Sequence, residues 1–156
     1  MMRDAPILAC ADWPALIATL ARDPAFGALA QARPETAAAV LAAPAAIARW
    51  IAVNAPPLAT KPQLTILVLG AESTDAVDQG RWYQAIPRLL GHEAAIEVHL
   101  LGAELAANFS SAIGASAPPV PARVQCAALA DFFGCGEAPR FDLAVMFQPD
   151  RKSTRL

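Results

Sequence analysis

The run Leu64-Thr65-Ile66-Leu67-Val68-Leu69-Gly70-Ala71-Glu72 decides the fold. An almost unbroken series of apolar and β-branched residues, stopped by a glycine, is the pattern of a strand covered on both faces, and therefore of a central strand. Its end returns: Leu69-Gly70-Ala71-Glu72 reappears as Leu101-Gly102-Ala103-Glu104, thirty-two positions on, closing a second strand pattern that begins at Ala95. That offset is the length of one strand-helix unit. The two strands are expected to lie side by side and parallel, joined by a right-handed crossover, as in a doubly wound sheet. In the second strand Glu97 and His99 share one face, which predicts that this face is partly wet.

Between the strands, Ser73-Thr74-Asp75 reads as a polar turn, and Trp82, Ile86, Leu89 and Leu90 share one helical face that Gly91 ends. Downstream, Leu105, Phe109 and Ile113 form the stripe of another helix, and residues 114–121 a Pro-rich connection. Arg123-Val124-Gln125-Cys126 is a weak third strand, Leu129, Phe132 and Phe133 a short apolar helix, and Phe141 to Phe147 a fourth strand. The fold class is α/β with a mainly parallel sheet, incomplete at its C-terminal end.

Upstream, residues 1–58 form an Ala/Pro-rich helical segment, punctuated by Pro14, Pro24, Pro34 and Pro44. Proline suits the first turn of a helix and breaks its interior, so each is expected to restart a short helix, with Asp12 and Asp23 as N-caps. Trp13, Leu16, Ile17 and Leu20, and again Ile47, Trp50 and Ile51, recur at helical spacing and must pack on something. Residues 55–62, with Pro56, Pro57 and Pro62, are a linker by composition, and the α/β domain spans 62–149.

The chain has 156 residues, room for one ordinary domain. Hydrophobic residues make up 56% and mean hydropathy is +0.38, but 38 of them are alanines, so the core is diluted. A net charge of -2 provides no electrostatic footprint for nucleic acid or an anionic membrane surface. The nearest approach to a membrane span, Thr36 to Ala48, falls short of the roughly 18 to 20 apolar residues required and contains Pro44. Cys10, Cys126 and Cys135 form no CxxC and are odd in number, which fits a reducing cytoplasm; with His92 and His99 they match no standard zinc spacing.

The last seven residues, Asp150-Arg151-Lys152-Ser153-Thr154-Arg155-Leu156, depart from this composition. Lys61 is the only lysine before them, and they carry three basic residues against one acidic. The stretch resembles a translated sequencing adapter. The expectation is that residues 150–156 are a non-native tail, that the native protein continues past Pro149, and that the basic end is no nucleic-acid patch.

In open parallel sheets ligands bind beyond the carboxyl ends of the strands, which makes Gly70, Glu72, Asp75 and Glu104 the candidate cofactor-binding residues. An acid ending the second strand, Glu104, is suited to ribose hydroxyls, with Asp75 and Trp82 lining the same mouth. A dinucleotide or S-adenosylmethionine site usually wants several glycines after the first strand, whereas Gly70 stands alone. The preferred reading is that Glu72 and Glu104 cap the following helices, worth roughly 0.3 to 1 kcal/mol each. Trp82 and Tyr83 as a ligand wall is a further option, set against Trp82 as core. No P-loop, nucleophile elbow or HExxH occurs, and no catalytic or metal-binding residue is assigned.

The segments Leu64–Glu72, Trp82 leading to Ile86-Pro87-Arg88-Leu89-Leu90, Val98–Leu105 and Phe141–Pro149 together resemble the C-terminal domain of the mitochondrial splicing suppressor 51-like family, over about residues 62–149. The family's pattern expects a glycine after Pro149, where this chain has Asp150. The resemblance implies a Rossmann-like fold akin to methyltransferases, without their glycine-rich loop and with no catalytic residues to carry over. Some members add a MYND zinc finger, whose cysteines are missing from this sequence. The resulting expectation is a non-catalytic Rossmann-like interaction domain, cytoplasmic, without bound cofactor. It would have a protein partner, no nucleic-acid or membrane partner, and a homo-oligomer contact through the N-terminal helices bearing Trp13 and Trp50. The alternative is a divergent nucleotide- or S-adenosylmethionine-binding, methyltransferase-like enzyme.

Overall fold

A computed structural model describes residues 4–32, 34–72, 75, 77–102, 122–127 and 140–147. Its elements are α1 Pro6–Ala9, α2 Trp13–Leu20, α3 Pro24–Ala32, α4 Pro34–Asn54, α5 Pro56–Ala59, β1 Gln63–Leu69, a 3-10 helix Val77–Gln84, α6 Ala85–Leu90, β2 Ala95–Leu101, β3 Ala122–Ala127 and β4 Leu143–Met146. The expected helices at 105–113 and 129–133, the 114–121 connection, Glu104, Cys135 and the tail at 150–156 lie outside the described residues.

Among the described residues all the strand pairings are parallel, in the order β3-β2-β1-β4, so the mixed helix-strand chain has an α/β architecture. β1 and β2 run in the register set by the sequence repeat, Gln63 opposite Ala95 through Leu69 opposite Leu101. The Ala71 N–H extends this ladder by one bond, donating to the Leu101 carbonyl at 3.0 Å.

The pleat sorts the side chains into two sets. Leu64, Ile66 and Val68, with Ile96, Val98 and Leu100 opposite them, face the helical layer and share one continuous core with α1 to α4, the 3-10 helix and α6. Each such fully buried side chain is worth about 1.5 to 3 kcal/mol relative to exposure. The other face presents Thr65, Leu67, Glu97, His99 and Leu101. Its expected wetness is found at Gln63 and Ala95, which are exposed, and at Thr65, Leu69 and Glu97, which are half-buried; Leu67, His99 and Leu101 are buried. His99 reconciles its polarity with burial through a 2.8 Å bond from Nε2 to the Glu97 carboxylate, and Phe141 stands edge-on to its ring at 5.1 Å.

In the helical layer Asp12 caps α2, accepting from the Ala15 N–H at 2.9 Å, and Pro24 and Pro34 open α3 and α4 as their fixed φ favours. Pro44 does not restart a helix: α4 runs through it for 21 residues. An interior proline costs about 3 kcal/mol or more. Val40, Leu41, Ile47, Ala48 and Ile51 on the same helix are all buried, and that packing outweighs the lost hydrogen bond. Continuity also changes the membrane arithmetic, because Glu35–Asn54 is now one unbroken stretch of 20 residues containing an 18-residue window of mean hydropathy 1.6, long and apolar enough to cross a bilayer, with 50% of that window buried in the fold.

The proline-rich stretch is likewise more ordered than a linker. Pro56 and Pro57 open the single turn of α5, Ala59 is buried, and the Pro62 carbonyl accepts from the Ala95 N–H at 2.9 Å, starting the sheet. Helix α6 ends on Gly91, whose φ of 72° is the left-handed cap conformation that glycine adopts without strain.

Candidate functional site

Both ends of β1 are built around an aspartate. At the amino end, Asp142 forms an ion pair with Lys61, accepts from the Thr65 N–H at 2.9 Å, and donates its own N–H to the Thr65 carbonyl at 2.8 Å. Burial pushes its carboxyl up, but the hydrogen bonds from Lys61 and Thr65 and the lysine charge outweigh that and hold it below the usual carboxylate range. These contacts lock β4 onto β1 and leave Asp142 no free oxygen for chemistry.

At the carboxyl end the chain leaves β1 through Gly70, with φ of 71° and a hypothetical Cβ 3.3 Å from the Phe147 carbonyl. Backbone from the end of β4 thus crowds the side of the glycine that a phosphate-binding loop would keep open. Glu72 and Asp75 form a closed turn: the Asp75 N–H donates to the Glu72 carbonyl at 3.0 Å, and the Glu72 N–H donates to Asp75 Oδ2 at 2.8 Å. The second carboxylate oxygen, Oδ1, accepts from the Tyr83 hydroxyl at 2.8 Å. Burial, reinforced by the Asp75 charge and this hydrogen bond, pushes the Tyr83 phenol far above its ordinary value.

The structure therefore brings Gly70, Glu72 and Asp75 together at one mouth, and Glu104 lies outside the described residues. Among the described residues the acid that bonds the turn is Asp75, while the Glu72 side chain is exposed. Trp82 does not line the mouth. It is buried in the helical layer, edge-on to Phe26 at 5.5 Å, and Phe26 in turn carries the guanidinium of Arg88, which pairs with Asp23 at 2.6 Å. Tyr83 is no ligand wall either, being fully buried with its hydroxyl committed to Asp75. The role of Tyr83 was open to detection in the sequence, since an acid in a turn eight residues ahead of a tyrosine in an apolar helix is a ready partner for its hydroxyl. Among the described residues no group of three His, Cys, Asp or Glu side chains is placed to hold a metal ion.

The accessible apolar surface lies elsewhere. A groove of about 420 Å3 runs between α4 and β4, lined by Ala46, Ile47 and Trp50 on one side and Leu143 to Phe147 on the other. Its walls include two of the exposed large hydrophobic side chains, Trp50 at 49% and Met146 at 66%. Single exposed apolar residues are ordinary, but these share one groove. No protein-family model, curated protein or solved structure matches the chain.

Proposed function

We propose that this chain is a non-catalytic, Rossmann-like interaction domain resembling the C-terminal domain of the mitochondrial splicing suppressor 51-like family. The observation that carries the reading is the contrast between a strand-end mouth where both oxygens of Asp75 are taken by the Glu72 N–H and the Tyr83 hydroxyl and an apolar groove whose tryptophan is half exposed. A ligand at the mouth would have to compete with the Tyr83 and Glu72 bonds to Asp75. A protein surface at the groove would only have to exclude water. The strand order, with two inner strands offset by one strand-helix unit, supports the Rossmann-like part of the reading. The buried free thiol of Cys10 is in keeping with a reducing cytoplasm.

The second reading, a divergent S-adenosylmethionine- or nucleotide-binding enzyme, draws on the position of Gly70, Glu72 and Asp75 beyond the carboxyl end of β1. Titration calorimetry separates the two. The interaction-domain reading expects no heat with S-adenosylmethionine or adenine nucleotides. Micromolar S-adenosylmethionine binding that disappears in Glu104→Ala would replace it with the enzyme.

A further inference from the structure

The apolar surface beside Trp50 does not stop at the β4 groove. A second groove, of about 290 Å3, flanks α4 on its other side and is lined by Trp13, Leu16, Ala42 and Arg49 among others. Ala46 lines both, so the outer ridge of α4 stands between an apolar trough and one that also carries Asp12 and Arg49, each holding a half-exposed tryptophan, Trp50 at 49% and Trp13 at 43%. Along that ridge the exposed positions are Glu35, Ala39, Ala42, Ala46, Arg49 and Val53. They alternate at spacings of four and three, the 3.5-residue repeat by which one helix keeps a single seam against another. A solvated helix face is normally polar, and this one is apolar except for one acid near its amino end and one base near its carboxyl end. Among the described residues neither Glu35 nor Arg49 has an ion-pair partner.

We propose that the partner is a second copy of this chain, docked through α4 in antiparallel orientation about a two-fold axis. The charges select this occupant. Antiparallel pairing of two identical helices sets Glu35 of one copy within a turn of Arg49 of the other, twice over, whereas parallel pairing sets like against like. The alanines along the seam let the two helices approach closely, and each copy's Trp13 and Trp50 close over the flanks of the contact. This inference rests on the interaction-domain reading and narrows it to a partner. Cofactor binding would unseat that reading without changing the oligomeric state, and a monomer would unseat this inference alone.

Sedimentation equilibrium of the full chain over a concentration series tests it. The expected result is a reversible dimer that Ala46→Glu, on the exposed ridge, weakens by about tenfold or more with an unchanged circular dichroism spectrum. Glu35→Arg and Arg49→Glu should each weaken the dimer severalfold, and the doubly exchanged chain should restore it. A monomer at every concentration overturns the proposal, as does a dimer indifferent to Ala46→Glu or a double exchange that restores nothing. So does a monomer that floats with phosphatidylcholine vesicles through the same ridge, which would assign the face to a bilayer.

Discussion

Trp82 and Trp50 occupy comparable places in two apolar helical patterns, and the fold treats them in opposite ways. Trp82 belongs to the crossover between two parallel strands, a connection that must lie back on the sheet, and it is 2% exposed with its ring against Phe26. Trp50 sits on the rim of α4, whose inner face already meets α6 and the 3-10 helix, and it is 49% exposed. Hydrophobic periodicity identifies a face that can be buried; topology decides which face is. The helix with the longer apolar run is the one left with surface to spare.

The sharpest way to break this contrast is to truncate each ring. Trp82→Ala should cost about 3 to 5 kcal/mol in chemical denaturation, as for a large aromatic lost from a packed core. A loss near 1 kcal/mol would mean that the crossover helix does not lie on the sheet. Next in size is the lock at the amino end of β1. Asp142→Asn should cost about 1 to 2 kcal/mol at neutral pH, the worth of hydrogen bonds to a charged group discounted for exposure. Because the folded carboxyl is held below its unfolded value, its contribution is complete above pH 5 or so and is lost as the pH falls through the folded value. The acid limb of the stability-pH curve should therefore flatten in the variant.

At the opposite end of the strand, Tyr83→Phe should cost about 1 kcal/mol, one hydrogen bond whose acceptor keeps the Glu72 N–H. Tyr83 is the only tyrosine, so its ultraviolet titration is unambiguous. The raised folded value means that the unfolded chain loses this proton first, so stability declines as the pH passes about 10 and the phenolate signal should appear together with alkaline unfolding. Deprotonation of the native protein near pH 10 would contradict the burial. The smallest effect belongs to Trp50→Ala, which should alter the monomer's stability by no more than about 0.5 kcal/mol.

How much of this was legible in the sequence follows from where the signals sit. The tetrapeptide repeat carried direction and register together, because a conserved offset between strand ends leaves one parallel alignment, Leu69 with Leu101. Asp12 and Gly91 were readable because caps are local chemistry. Pro44 misled, since its local penalty is opposed by packing from residues that no window around it reveals. The site was legible as a position and not as a state. Gly70, Glu72 and Asp75 do meet, but the closure of the turn depends on Tyr83 arriving from the 3-10 helix, and the crowding of Gly70 depends on Phe147, far along the chain. Asp142 was passed over as part of a strand, although it ties that strand to Thr65 and Lys61 across a long stretch of sequence.

The sheet, and the mouth beyond it, depend on β1 and β2 being neighbours that run the same way. Gln63 and Ala95 are both exposed and stand opposite one another in the register, so nitroxides placed at these two positions, in a chain freed of its native cysteines, test it directly. Parallel pairing puts the two backbones about 5 Å apart and predicts strong dipolar broadening of the continuous-wave spectrum. An antiparallel arrangement would separate them by the length of a strand, about 20 Å, and spectra without broadening would contradict the account.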